Sequence, residues 1–124
     1  MTRTVPGANT ERTMPTTADT YGSMTVMTVE PAFTGAEADA FRRVADEQIR
    51  AGGRWFVLDL ARANTFDSRG LEELLAFQEK VASNGGVVKL AGLKGNCRKI
   101  FEMTRFDKKF EVCDTVHEAV RNFD

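Results

Sequence analysis

The stretch Trp55-Phe56-Val57-Leu58-Asp59-Leu60, running on through Ala61-Arg62-Ala63-Asn64-Thr65-Phe66 into Asp67-Ser68-Arg69-Gly70-Leu71, decides the fold. Its first six residues are apolar, aromatic or β-branched apart from Asp59. A run with no polar alternation reads as a strand buried on both faces, in the middle of a parallel or mixed sheet. A short polar loop follows. Beyond it Leu71, Leu74, Leu75, Val81 and Ala82 keep helical spacing, and Asp67 and Ser68 stand where helix starts favour Asp and Ser. Ser68 is thereby placed on a helix N-terminus at the end of a core strand. Open α/β sheets gather functional groups there, because the strand ends leave a crevice and the helix start offers unpaired backbone N–H groups. A structural cap and a functional hydroxyl are both open readings of Ser68, and spacing alone favours the cap.

Upstream, Thr34-Gly35-Ala36-Glu37 fits a capping box. It opens a helix whose apolar face is Ala38, Phe41, Val44, Ala45 and Ile49, ended by Gly52-Gly53. A strand over Met24–Val29 precedes it, and Pro31, which cannot donate to a ladder, marks a sheet edge or strand end. Asp19-Thr20-Tyr21-Gly22 suits a turn, with a short strand within residues 13–18. Residues 1–20, Thr-rich with Pro6, Gly7 and Pro15, read as a mobile tail, which leaves a single domain over 21–124.

Downstream, the Ser68 helix is expected over 69–83, stopped by Asn84-Gly85-Gly86, with a strand at Val87–Ala91. A third helix over 96–104 buries Ile100 together with Cys97, Phe101 and Thr104, and Phe110-Glu111-Val112 alternates like a brief edge strand. Thr115-Val116-His117-Glu118 is a second capping box, and Val116, Ala119, Val120 and Phe123 form the stripe of a closing helix. Alternating strands and helices with short connections imply an α/β layer fold with right-handed crossovers.

Composition narrows the function. The 124 residues suit one domain, and a net charge of -1 with dispersed basic residues argues against nucleic acid. The densest basic segment, residues 94–109, is interrupted by Glu102 and Asp107 and reads as a solvated helix face. Cys97 and Cys113 lack metal-site spacing and the chain has one His, which points to two reduced thiols in a cytoplasmic protein and to no metal. The apolar runs are too short to cross a bilayer, and residues 1–21 lack the apolar core of a signal peptide. No catalytic residue is expected: His117 falls on a solvated helix position, Asp59 at a strand end and Asp67 at a helix start. No cofactor is expected either, since Gly70 stands alone and Gly92-Leu93-Lys94-Gly95 lacks phosphate-loop spacing.

The strand ending in Asp59-Leu60, followed by Asp67-Ser68-Arg69-Gly70-Leu71, resembles the signature of the STAS family, the sulfate-transporter and anti-sigma-factor-antagonist domains. Gly85-Gly86-Val87-Val88-Lys89-Leu90, Ile100-Phe101-Glu102-Met103-Thr104-Arg105-Phe106 and Thr115-Val116-His117-Glu118-Ala119-Val120 are similar to later family segments in the same order. The resemblance implies a mixed sheet of four or five strands with about four helices, mainly on one side. For the bacterial sigma-regulator branch it further implies that Ser68 is the phosphoacceptor of a serine kinase that doubles as anti-sigma factor. The unphosphorylated antagonist would bind that kinase, phosphorylation would abolish binding, and a PP2C-type phosphatase would restore it. Asp67, Arg69, Gly70 and Thr34 would lie at the partner surface. Two departures stand out: Pro31-Ala32-Phe33-Thr34 replaces G-E-L-D, so Thr34 stands for an acidic kinase contact, and Arg69 replaces a small residue. Arg69 could pair with a phosphate or obstruct a kinase cleft. The alternative function is a STAS scaffold, or an anion- or nucleotide-binding regulatory module, without the phosphoswitch. A weak homodimer stays open.

Overall fold

The computed structural model describes residues 16–22, 24–30 and 32–121. In chain order these form β1 (Thr16–Tyr21), β2 (Met24–Val29), β3 (Ala32–Phe33), α1 (Gly35–Arg50), β4 (Trp55–Asp59), β5 (Thr65–Phe66) and α2 (Ser68–Ser83). Then follow β6 (Val87–Ala91), α3 (Gly95–Met103), a 3-10 turn at Phe106–Lys108, β7 (Glu111–Cys113) and α4 (Val116–Arg121). Five strands make one sheet in the order β1-β2-β4-β6-β7, antiparallel only between β1 and β2. β4 is its middle strand, with Phe56, Val57 and Leu58 all inaccessible, as the unbroken apolar run requires. β3 and β5 pair separately as a two-stranded parallel ribbon.

Alternation along the strands divides the core. Met27, Phe56, Leu58 and Leu90 join Phe41, Leu74, Phe77, Val81 and Phe101 in one cluster with α1, α2 and α3. Met24, Val26, Val57, Ala91 and Cys113 face the other way and meet Ala119 of α4. The α/β architecture, with helices mainly on one side of a five-stranded mixed sheet, is therefore the expected one. Lys89 lies on the α4 face only 3% exposed, its Nζ 3.4 Å from Glu111 of the adjoining edge strand.

Several local expectations are corrected. Residues 16–20, assigned to the tail, form most of β1; the turn falls at Gly22, because Asp19, Thr20 and Tyr21 pair in register with Val26, Thr25 and Met24. On α2 the buried positions are Gly70, Leu74, Phe77 and Val81, whereas Leu75 is partly buried and Ala82 exposed. The buried stripe is thus a single line of i, i+3 and i+4 steps, narrower than expected. Thr104 is exposed beyond α3, its hydroxyl donating to the Ile100 carbonyl at 2.7 Å. Gly52 ends α1 at φ +100°, the left-handed conformation expected of it. Residues 1–15, Ser23, Pro31 and 122–124 lie outside the described residues, and with them the rest of the expected tail, the Pro31 strand end and Phe123.

Candidate functional site

The ribbon of β3 and β5 sets the site. Ala32 pairs with Thr65 and Phe33 with Phe66, and the residue after each pair begins a helix: Thr34 caps α1 and Asp67 caps α2. Two helix N-termini are thus clamped side by side at the carboxyl end of the sheet. The clamp is anchored by its own phenylalanines. Phe33 packs on Phe41 at 5.1 Å and on Phe66 at 5.9 Å, and Phe66 packs on Phe101 at 5.2 Å. Phe77, Phe56 and Phe106 extend the contact into a chain of seven rings. Mostly edge-to-face, each pair contributes about 0.5–1.5 kcal/mol beyond area burial.

At the start of α2 the capping residue is Asp67, not Ser68. Asp67 has extended backbone (φ -124°, ψ 178°), and its Oδ1 accepts the Gly70 N–H at 2.9 Å. Ser68 is the first helical residue, exposed, and its hydroxyl is not used as the cap. With the Gly70 donor satisfied, helix geometry leaves the N–H groups of Ser68 and Arg69 without intrahelical acceptors, at the positive end of the helix dipole. Gly70 is there for space. A Cβ on it would fall on the Phe33 carbonyl oxygen and 2.9 Å from the carbonyl carbon, so only glycine lets α2 meet the ribbon.

The start of α1 is closed differently. The Thr34 N–H donates to Glu37 Oε1 at 3.1 Å, the return half of the capping box, and the Thr34 hydroxyl donates to the same oxygen. Those hydrogen bonds hold the Glu37 carboxyl below the usual carboxylate range, against desolvation and the nearby Asp67 charge, which push it up. Glu37, read from the sequence only as half of a capping box, thus belongs to the site.

Arg69 does not cover Ser68. Its Nη2 lies 2.7 Å from Asp39 Oδ1 on α1, and Arg42 Nε reaches Glu73 Oε1 at 3.3 Å and Lys80 Nζ reaches Asp46 Oδ1 at 2.8 Å. Three ion pairs, from successive turns of α1, therefore join the two helices. The structure brings Thr34, Asp67, Ser68, Arg69 and Gly70 together, and adds Glu37 and Asp39 to them.

The other chemistry-bearing groups lie apart. Asp59 Oδ1 accepts the Ala61 N–H at 3.1 Å, completing a strand end, and His117 is exposed on α4. Cys97 and Cys113 are free and buried, and burial pushes the Cys97 thiol up to about 12 and raises that of Cys113. A cavity of about 340 Å³ between Asp59, Gly92, Lys94 and Asp114 shares no lining residue with the Ser68 site. Among the described residues, no cluster of three or more His, Cys, Asp or Glu could hold a metal, and no helix is long and apolar enough to cross a membrane.

Comparison with known proteins bears on the family and the fold. A family model described as STAS domain matches residues 15–119. A curated Bordetella bronchiseptica protein, BtrV, described as a candidate anti-sigma factor antagonist, is 27% identical over 110 residues, which are 89% of this chain and 95% of that one. A candidate anti-sigma factor antagonist from Thermotoga maritima superposes with a TM-score of 0.79 at 19% identity, over 86% of this chain and 92% of that one. The Bacillus cell fate determinant SpoIIAA in its phosphorylated form gives 0.70 at 15% identity, over 88% and 99%. At such identities the structural likenesses speak for the fold alone. The family match takes in every described strand and helix except the last two residues of α4, and the chain belongs to the STAS domain family.

Proposed function

We propose that the chain is an anti-sigma factor antagonist, a binding module that sequesters a kinase-type anti-sigma factor while Ser68 is unphosphorylated. The observation that carries this reading is the Ser68 hydroxyl, exposed at the first position of α2 with the capping duty taken by Asp67. The relative named for anti-sigma factor antagonism and the fold neighbour solved in a phosphorylated form support it. The Ser68 oxygen attacks the γ-phosphorus of ATP held by the partner, its proton passes to a base of the partner, and ADP leaves. A PP2C-type phosphatase hydrolyses the ester and restores the hydroxyl. The surface offered to the kinase consists of Asp67, Arg69, Gly70 and Thr34. The chain itself is a substrate and ligand, not a catalyst, and works in the bacterial cytoplasm, where both thiols stay reduced.

The physics of the switch is local. A phosphate adds about -1.5 to -2 charge at a helix start, where orphan N–H groups and the dipole favour it by about 0.3–1 kcal/mol. The folded domain tolerates that charge. A partner docked over Asp67 and Glu37 meets added repulsion and desolvation instead. Incubation with the cognate anti-sigma kinase and ATP, with mass-spectrometric mapping, should place phosphate on Ser68. Ser68→Asp should bind the kinase at least about tenfold more weakly than Ser68→Ala, a difference of about 1.4 kcal/mol, with both variants unfolding at the same temperature. Phosphate on another residue, or equal affinities, would sink the switch.

A further inference from the structure

Arg69 adjoins Ser68 in the first turn of α2, yet its guanidinium is turned away onto Asp39 at 2.7 Å, with the two side chains 51% and 52% exposed. At that exposure an ion pair is weakly held, since water competes for both charges and two flexible side chains are ordered. Asp39 also has a second cation in reach. Arg42 Nη2 stands 3.7 Å from Asp39, while Arg42 Nε is anchored 3.3 Å from the largely buried Glu73. Asp39 therefore keeps a cationic neighbour if Arg69 departs.

We propose that Arg69 has two stations: on Asp39 while Ser68 carries a free hydroxyl, and on the phosphate once Ser68 is phosphorylated. The inference rests on the phosphoacceptor reading of Ser68. A phosphoserine presents nearly two charges and three acceptor oxygens, and the planar guanidinium fork matches phosphate oxygens in pairs. The dianion therefore outcompetes one exposed carboxylate. Of the other charges at the two helix starts, Asp67, Glu37 and Glu72, which is one helical turn from Ser68, oppose the phosphate, while Arg42 stays with Glu73 and Asp39. One modification thus alters two helices: the α2 start gains a partly neutralised phosphate, and Asp39 on α1 loses its closer cation. A partner spanning both starts would meet a changed charge pattern on each.

The test uses the full chain with phosphoserine installed at position 68 by codon reassignment, so that no kinase is needed, and follows the phosphate by 31P NMR titration. Wild type should show a second phosphate pKa at least about 0.5 unit lower than Arg69→Gln, with Arg69→Lys recovering part of the difference. Asp39→Asn should leave the wild-type value in place, because the cation has already moved. Identical titrations for wild type and Arg69→Gln would overturn the proposal. So would a value that falls only in Asp39→Asn, since Arg69 would then have remained on Asp39. Equal kinase affinity for Ser68→Ala and Ser68→Asp would defeat the proposed switch without touching this titration, and a flat titration would defeat the Arg69 transfer without touching the switch.

Discussion

At the start of α1 the capping hydroxyl of Thr34 is tied to the Glu37 carboxylate, whereas at the start of α2 a carboxylate, Asp67, does the capping and the hydroxyl one residue on is left over. Both starts follow the same ribbon and lie at matching register, so the difference lies in the side chains alone. It teaches that the identity of the cap decides which hydroxyl is available for modification. The Thr34 hydroxyl is engaged by a carboxylate, whereas the Ser68 hydroxyl, following an Asp cap, is exposed and unengaged. The glycines divide the same way. A Cβ on Gly35 would meet only Arg69 Cγ at 3.7 Å, while one on Gly70 would strike the Phe33 backbone.

The largest break in this symmetry is expected from Gly70→Ala. Ribbon and helix would have to separate, and backbone gives way less readily than a side chain, so urea denaturation should show a loss of about 3 kcal/mol. An unchanged midpoint would mean that α2 does not rest on β3. Asp67→Ala removes the α2 cap and should cost about 1 kcal/mol by the same measurement, while the fold and Ser68 exposure persist.

Glu37→Gln sharpens the contrast through pH. The folded Glu37 carboxyl lies below its unfolded value of 4.5, so its contribution is fully present above that value and disappears as pH falls through the folded pKa. The melting-temperature gap between wild type and Glu37→Gln should therefore shrink between about pH 6 and about pH 3. A gap that stayed constant would show that the carboxylate charge is immaterial to the box. Gly35→Ala should be harmless or stabilise by about 0.5 kcal/mol, since the added methyl finds ordinary contact and the unfolded chain loses freedom. Ser68→Ala is expected to move stability by less than about 0.5 kcal/mol, as befits a hydroxyl that holds nothing; a larger loss in thermal unfolding would return Ser68 to a structural role.

Much of this site was legible in advance. The middle strand, the helix after it and the position of Ser68 at that helix start were readable because burial on both faces and helical spacing leave periodic marks in the chain. Thr34 and Glu37 were readable as a capping box. The ribbon was not, since Ala32-Phe33 and Thr65-Phe66 are too short to carry a period, and residues 61–66 passed for plain loop. Phe77 was overlooked beside the leucines of α2, although it links Phe41 to Phe56. The first strand was set too early because the Thr-rich residues 16–20 look like tail until they pair with β2.

The sequence by itself determined the middle strand, the main helices and that Ser68 begins one of them, because those properties depend on neighbours within a turn or two. Tertiary structure alone decided that Gly70 must lack a side chain and that Arg69 rests on Asp39. The last of these joins residues 30 positions apart, and the Gly70 constraint comes from a carbonyl on a separate strand. Such contacts exist only once the ribbon has brought the two helix starts together, so no local pattern of residues can encode them.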